Sequence, residues 1–319
     1  MLVEILLVIF GFVLLIFGAD ALVKGASALA RRLNMSDLAI GLTIVAFGTS
    51  APELVVSSVA SVQGQSDLIL GNVLGSNLFN LMMILGIVGL IKPITVQKSM
   101  VWIEIPISLV VIIVLYILSN AWFGSSTAKV SWGDALVLLL LFAGFMYYIY
   151  RGLSSETVKK SDDSPPAQDY TTTKMTLLVV FGLAGLVYGG HLVVSNATDM
   201  ALEFGISEKV IGLTIVAAGT SLPELVTSIV AALKKNADIA IGNVIGSNIF
   251  NVLLIVPVSA LIKPIAYNVS FNFEMYLLVG ATLFLFIAMF SGKAKRLDRW
   301  EALLLLVGFV VYTGYMISK

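Results

Sequence analysis

Residues 37–80 of this 319-residue chain recur, without a gap, at residues 208–251. The first copy reads DLAIGLTIVAFGTSAPELVVSSVASVQGQSDLILGNVLGSNLFN, and 26 of its 44 positions are identical in the second. Lys92-Pro93 returns as Lys263-Pro264 at the same offset of 171. Chance likeness between two greasy segments does not account for matched Gly, Pro, Asn and Glu positions, so the chain is a duplicated unit.

The units are membrane-embedded. Hydrophobic residues make up 59% of the chain and charged residues 12%, with a mean hydropathy of +1.01. A soluble domain carries about twice that share of charge. Apolar stretches long enough to span a bilayer fall near 2–29, 38–62, 68–91, 101–119, 132–150, 175–198, 209–233, 239–262, 272–290 and 300–318. Met1–Ala30 superficially looks like a signal peptide. Glu4, the lack of a basic leader and the length of its apolar run make it the first span instead. The polar stretch 151–174, with Pro165-Pro166, reads as a surface linker. The expected fold is therefore all-α and integral to the membrane, with ten helices in a first repeat over 1–150 and a second over 175–319.

Five spans per unit is an odd number, so the second unit enters the membrane from the opposite side, an inverted repeat. Of the 19 Lys and Arg residues, Lys129, Lys209, Lys263 and Lys319 fall on one side and Lys24 within the first span. The other fourteen lie on the loops of the opposite side, including the linker. The positive-inside rule puts that linker in the cytoplasm and both termini outside. The membrane is expected to be a cell membrane, since no organelle-targeting segment is seen.

Composition excludes several classes of function. Acidic and basic residues both total 19, so no nucleic-acid partner is expected. The absence of Cys removes thiolate sites, and the single His191 cannot build a His cluster. No nucleophile–base set or cofactor motif points to an enzyme. A channel would usually need symmetric subunits, whereas one duplicated chain can enclose one site and is expected to work as a monomer.

The chemistry lies in two repeated motifs. GTSAPE at 48–53 and GTSLPE at 219–224 sit inside apolar spans. Pro52 and Pro223 break the helix, and Gly48 and Gly219 loosen it; a broken helix is tolerated in lipid only where it lines a cavity. Glu53 and Glu224 follow, each costing several kcal/mol at that depth. A purely structural Glu would need a buried cation, and spans 2, 3, 7 and 8 carry no Lys or Arg at comparable depth. The second pair is GNVLGSNLFN at 71–80 and GNVIGSNIFN at 242–251. Its glycines read as packing positions, whereas Ser76 with Asn80, and Ser247 with Asn251, are four apart and form a polar stripe facing each Glu. Asn72, Asn77, Asn243 and Asn248 could cap or bridge the broken ends. Two carboxylates among hydroxyl, amide and carbonyl oxygens make a hard-ligand site suited to Ca²⁺ or Na⁺. Emptied, it holds two negative charges and resists crossing a dry interior, which favours exchange. Na⁺ and protons can both discharge it, so these residues do not name the counter-ion.

With G-T-S-x-P-E and G-N-x-x-G-S-N in both halves, the chain resembles the Ca²⁺/cation antiporter superfamily, and within it the prokaryotic sodium/calcium exchangers. The resemblance implies that broken spans 2, 3, 7 and 8 surround a central ion site, with spans 1 and 6 sliding against that core. It implies Glu53 and Glu224 as the principal Ca²⁺ ligands, shared with Na⁺, with Thr49 and Thr220 completing the Ca²⁺ shell. Ser50, Ser221, Ser76 and Ser247 would bind Na⁺ with carbonyl help from Ala46 and Ala217, and Asn80 and Asn251 would occupy the middle. The implied activity is Na⁺/Ca²⁺ antiport, with Ca²⁺/H⁺ exchange as the alternative. Asn251 departs from relatives with Asp there, which weakens the case for K⁺ co-transport. Asp20 could pair with Lys24 one turn on, and its repeat partner is His191.

Overall fold

The computed structural model describes residues 2–33, 35–120, 128–155, 170–204, 217–292 and 295–318. The described residues are all-α apart from four two-residue strands. Its helices are α1 (Leu2–Arg32), α2 (Asp37–Thr49), α3 (Ala51–Gln63), α4 (Ser66–Ile91), α5 (Met100–Ser119) and α6 (Trp132–Ser155). The second half holds α7 (Thr172–Glu203), α8 (Ala217–Thr220), α9 (Leu222–Leu233), α10 (Ala237–Ile262), α11 (Asn272–Ala288) and α12 (Arg299–Ser318). Eight of these are long and apolar enough to cross a bilayer, and α2 with α3 form a ninth, bent by 46°. The span expected at 209–233 begins in residues outside those described, as does most of the 151–174 linker.

Large apolar side chains point outward along the whole length: Phe17, Val62 and Leu140 are all at least 70% exposed. Such a surface is stable only against lipid. The protein is a multi-pass integral membrane protein. α10 is the most enclosed helix; every residue from Ile239 to Phe250 is buried.

Glycine lets α1 and α7 approach closely. α1 packs along α7, where a Cβ on Gly18 would lie 2.9 Å from the Gly182 carbonyl oxygen and one on Gly189 would lie 2.8 Å from that of Gly11. These four glycines are two pairs at the repeat offset of 171. Side chains larger than hydrogen would force the backbones apart.

Short strands join the loops in pairs. β1 (Ile94–Thr95) pairs antiparallel with β4 (Arg296–Leu297), joining the loop before α5 to the loop before α12. β2 (Lys129–Val130) pairs with β3 (Ile265–Ala266), joining two loops of the opposite set. The Gln97 side chain donates to Asp238 at 2.7 Å and Ala266 N–H to Ser66 Oγ at 3.0 Å, each within its own set.

One expectation needs correcting. Spans 3 and 8 are not broken: α4 and α10 each run continuously for 26 residues. Neither holds a proline beside its GSN motif, so nothing removes a backbone donor there. Each instead widens into a π-helical segment, Phe79–Ile84 in α4 and Asn251–Ile255 in α10. Such a turn shifts the carbonyl register without ending the helix.

Candidate functional site

Helix continuity fails where the prolines predict. Ser50 has φ −82° and ψ 6° between α2 and α3, and Ser221 has φ −91° and ψ 8° between α8 and α9. Pro52 and Pro223 occupy the first turn of the helix that restarts, where a missing N–H costs nothing. Glu53 and Glu224 sit in that same turn and are wholly buried. Gly48 and Gly219 do more than loosen the break. Each faces α7 closely: a Cβ would fall 2.3 Å from Leu183 Cδ2 at Gly48 and 2.1 Å from Val194 Cγ2 at Gly219.

The two breaks meet across the repeat boundary. Ser221 Oγ donates to Glu53 Oε1 at 3.1 Å, and Ser50 Oγ donates to Glu224 Oε1 at 3.0 Å. Each carboxylate also receives the serine of its own half, Ser76 on Glu53 and Ser247 on Glu224, both at 3.4 Å. Thr49 Oγ1 donates to Asn243 Oδ1 at 3.0 Å, and Thr220 Oγ1 to Asn72 Oδ1 at 3.4 Å. The Ala46 carbonyl accepts from Thr49 at 3.3 Å and from Ser247 at 3.5 Å. Ala217 opens α8 and is the first described residue there.

The asparagines brace this cluster. Asn72 Nδ2 donates to the Glu53 carbonyl (3.3 Å) and Ser57 Oγ (2.9 Å); Asn243 Nδ2 does the same to the Glu224 carbonyl (3.3 Å) and Ser228 Oγ (3.1 Å). Asn77 and Asn248 exchange bonds, each side-chain amide donating to the other's backbone carbonyl at 3.3 and 3.2 Å. These two link the continuous helices α4 and α10 to each other and do not bridge the broken ends. Ser57 and Ser228 were not singled out, although each lies one turn beyond its Glu and is preserved in the repeat.

Asn80 and Asn251 do not hydrogen-bond to the carboxylates as a stripe facing each Glu implies. Asn251 Nδ2 donates to Asn77 Oδ1 at 2.9 Å, and Asn80 uses neither side-chain atom. Among the residues of these motifs, five buried oxygens have no hydrogen-bond partner: Glu53 Oε2, Glu224 Oε2, Asn80 Oδ1, Asn251 Oδ1 and Asn248 Oδ1. Buried polar atoms without partners cost about 1–3 kcal/mol each, more when charged. Among the described residues no group of three or more His, Cys, Asp or Glu occurs, so the donors are two carboxylates among neutral oxygens. That set suits a hard cation.

The cluster is lopsided. Asn243, Gly242 and Gly246 are buried, while their counterparts Asn72, Gly71 and Gly75 keep some exposure. Thr49 is 0% exposed and Thr220 is only half-buried.

Residues 3–151 and 174–318 match the sodium/calcium exchanger protein family. The putative antiporter CaxA of Alkalimonas amylolytica is 38% identical over 322 residues, covering 100% of both chains. The sodium/calcium exchanger MaX1 of Methanosarcina acetivorans is 30% identical, covering 89% of each. The sodium-calcium exchanger NCX_Mj, solved after soaking with zero Na⁺ and Ca²⁺, superposes with a TM-score of 0.83 at 32% identity over 99% of each chain. With both halves matched and relatives aligned along nearly their full length, the chain belongs to the sodium/calcium exchanger family.

Proposed function

We propose that this protein is a Na⁺/Ca²⁺ antiporter that works by alternating access, a secondary transporter and not an enzyme. The observation that carries the reading is the reciprocal pair of bonds, Ser221 to Glu53 and Ser50 to Glu224, which joins the two motifs around two buried carboxylates. Glu53 and Glu224 hold Ca²⁺, with Thr49 and Thr220 completing its shell. The same carboxylates serve Na⁺ with Ser50, Ser221, Ser76, Ser247 and the carbonyls of Ala46 and Ala217. Asn80 and Asn251 fill the middle. Because the ligands overlap, Na⁺ and Ca²⁺ compete, and a loaded site, its two negative charges offset, is the one that reorients.

The architecture we propose has ten spans in two inverted repeats, 1–150 and 175–319, with the broken spans α2–α3 and α8–α9 facing each other. Both termini lie outside a cell membrane and the 151–174 linker in the cytoplasm, in keeping with the charge asymmetry. One chain suffices for transport. In this frame the exposed face of Gly71, Asn72 and Gly75 opens outward, and the buried face of Gly242, Asn243 and Gly246 is the sealed cytoplasmic side.

The test is ⁴⁵Ca²⁺ uptake into proteoliposomes under an outward Na⁺ gradient or an outward proton gradient. Uptake that needs internal Na⁺ and rises with an inside-positive potential is the expected result. Uptake driven by protons alone would overturn sodium coupling and recast the two glutamates as proton carriers.

A further inference from the structure

The sequence repeat gives each end of the site equivalent residues, yet among the described residues one end carries an electrostatic fastening with no counterpart at the other. Lys234 closes α9, the helix that carries Glu224. Its ammonium lies 2.5 Å from Asp20 Oδ1 on α1 and 3.1 Å from the Asp20 carbonyl oxygen. Lys24 holds the other carboxylate oxygen of Asp20 at 2.6 Å. Two residues on, Asn236 Nδ2 donates to Ser27 Oγ at 3.2 Å, again on α1, and to Asp37 Oδ2 at 3.0 Å at the start of α2. The turn between the two motif helices of the second half is thus tied to α1 at two levels and to α2.

At the repeat offset these residues become Gln63, Gln65, His191 and Thr198. Gln63 and Gln65 are exposed, and among the described residues no ion pair or side-chain hydrogen bond ties them to α7. Thr198, the counterpart of Ser27, has a buried hydroxyl with no hydrogen-bond partner. The fastened end is also the sealed end. Just beyond Asn236, Gly242 and Gly246 pack against α2 so closely that a Cβ would meet the Leu38 carbonyl at 3.0 Å and Leu42 Cα at 2.9 Å. At the unfastened end, a Cβ on Gly71 would meet nothing nearer than Phe271 at 4.0 Å among the described residues. Lys24 lies on the same helix as Asp20 and stays with it, so the added ion pair with Lys234 is what biases the protein toward the state in which Lys234 reaches Asp20.

We infer that the Asp20–Lys234 ion pair, with the Asn236–Ser27 hydrogen bond, is a one-sided latch that holds the Gly242–Gly246 face of the site shut and must part before that face opens. The inference rests on alternating access, but its test reads which side is open, and flux in the unmodified protein tests alternating access separately.

The chain has no Cys, so single thiols report cleanly. Leu38→Cys places one under the sealed face and Gly71→Cys one on the exposed face, each read by a membrane-impermeant maleimide in oriented vesicles. Asp20→Asn and Lys234→Gln should each raise labelling of Leu38→Cys by about two- to fivefold and lower that of Gly71→Cys, as expected for losing a partly exposed ion pair that biases a two-state equilibrium. The double variant should shift no further than either single change, and Lys24→Gln should leave both reporters near the unmodified pattern. No change at either reporter overturns the latch. A rise at both also overturns it, because general loosening opens both faces. Ca²⁺ uptake by each variant shows that it folds and inserts.

Discussion

The two halves of the site use matching residues and share most of their bonds, and they differ in how tightly they are held. In the second half, Asn243, Ser247 and Asn251 sit on a helix buried on every side. In the first half, Gly71, Asn72 and Gly75 on α4 keep exposure, and among the described residues the ring of Phe271 is the nearest neighbour a Gly71 side chain would find. A duplicated sequence therefore yields two conformations of one motif in a single molecule. Each half serves as a picture of what the other becomes once access alternates: α4 should close against its broken span as α10 now does, and α10 should open as α4 now is.

The largest effects fall where the halves do not differ. Glu53→Gln and Glu224→Gln should each reduce Na⁺-driven Ca²⁺ uptake to the background of empty liposomes, since either change leaves a divalent cation with one carboxylate. Substantial flux in either variant would break the symmetry of the site and the ligand assignment with it.

Next come the glycines, where the comparison predicts opposite outcomes. A Cβ on Gly246 would lie 2.8 Å from Ala46 Cβ and 2.9 Å from the Leu42 carbonyl oxygen, so Gly246→Ala should destabilise the protein by about 1–3 kcal/mol in thermal unfolding. A Cβ on Gly75 meets nothing within 4 Å among the described residues. Gly75→Ala should leave the Tm unchanged or raise it, by up to about 1 kcal/mol of helix propensity. Its transport should nonetheless fall about tenfold, because the clash of Gly246→Ala would appear when α4 closes. A Gly75→Ala protein with normal flux would mean that α4 never reaches the packing of α10.

Much of this was legible in the sequence because proline, charge and repetition act locally. Pro52 and Pro223 fix where the helices break whatever surrounds them, and the carboxylates that follow are too costly in lipid to be incidental. The offset of 171 paired every site residue with its counterpart before any contact was known. Three things were not legible. A break was expected in spans 3 and 8, but a π turn leaves no mark as plain as proline, and α4 and α10 run through. The glycines of GTSxPE read as looseness, whereas their closeness to Leu183 and Val194 depends on α7, far along the chain. Asp20 read as a partner for Lys24 alone; Lys234 lies 214 positions away, and only the fold brings it to the same carboxylate.

A smaller difference should separate the bracing asparagines. Asn243 is 0% exposed and holds the Glu224 carbonyl, Ser228 and the Thr49 hydroxyl, so Asn243→Ala should cost about 1–3 kcal/mol through the partners it strands. Asn72 makes the matching bonds where water can replace them, and Asn72→Ala should cost less than about 1 kcal/mol. Equal losses in a denaturation series would mean that the exposed face is as dry as the sealed one.

The finest difference lies at Asn80 and Asn251, and it separates a structural role from a ligand role. Asn251 makes one bond, to Asn77, and Asn251→Ala should cost about 1 kcal/mol in ion-free buffer. Asn80 makes none while both its polar atoms are buried, so Asn80→Ala removes no bond and relieves two unsatisfied atoms. In ion-free buffer it should be neutral or slightly stabilising. With saturating Na⁺ or Ca²⁺ the order should reverse: a ligand that binds the folded protein raises its Tm in proportion to affinity, and Asn80→Ala should gain less from the ions than the unmodified protein. A residue whose polar atoms serve only packing would respond alike with and without ions. A Tm difference that appears only on adding the ions would therefore mark Asn80 as a ligand.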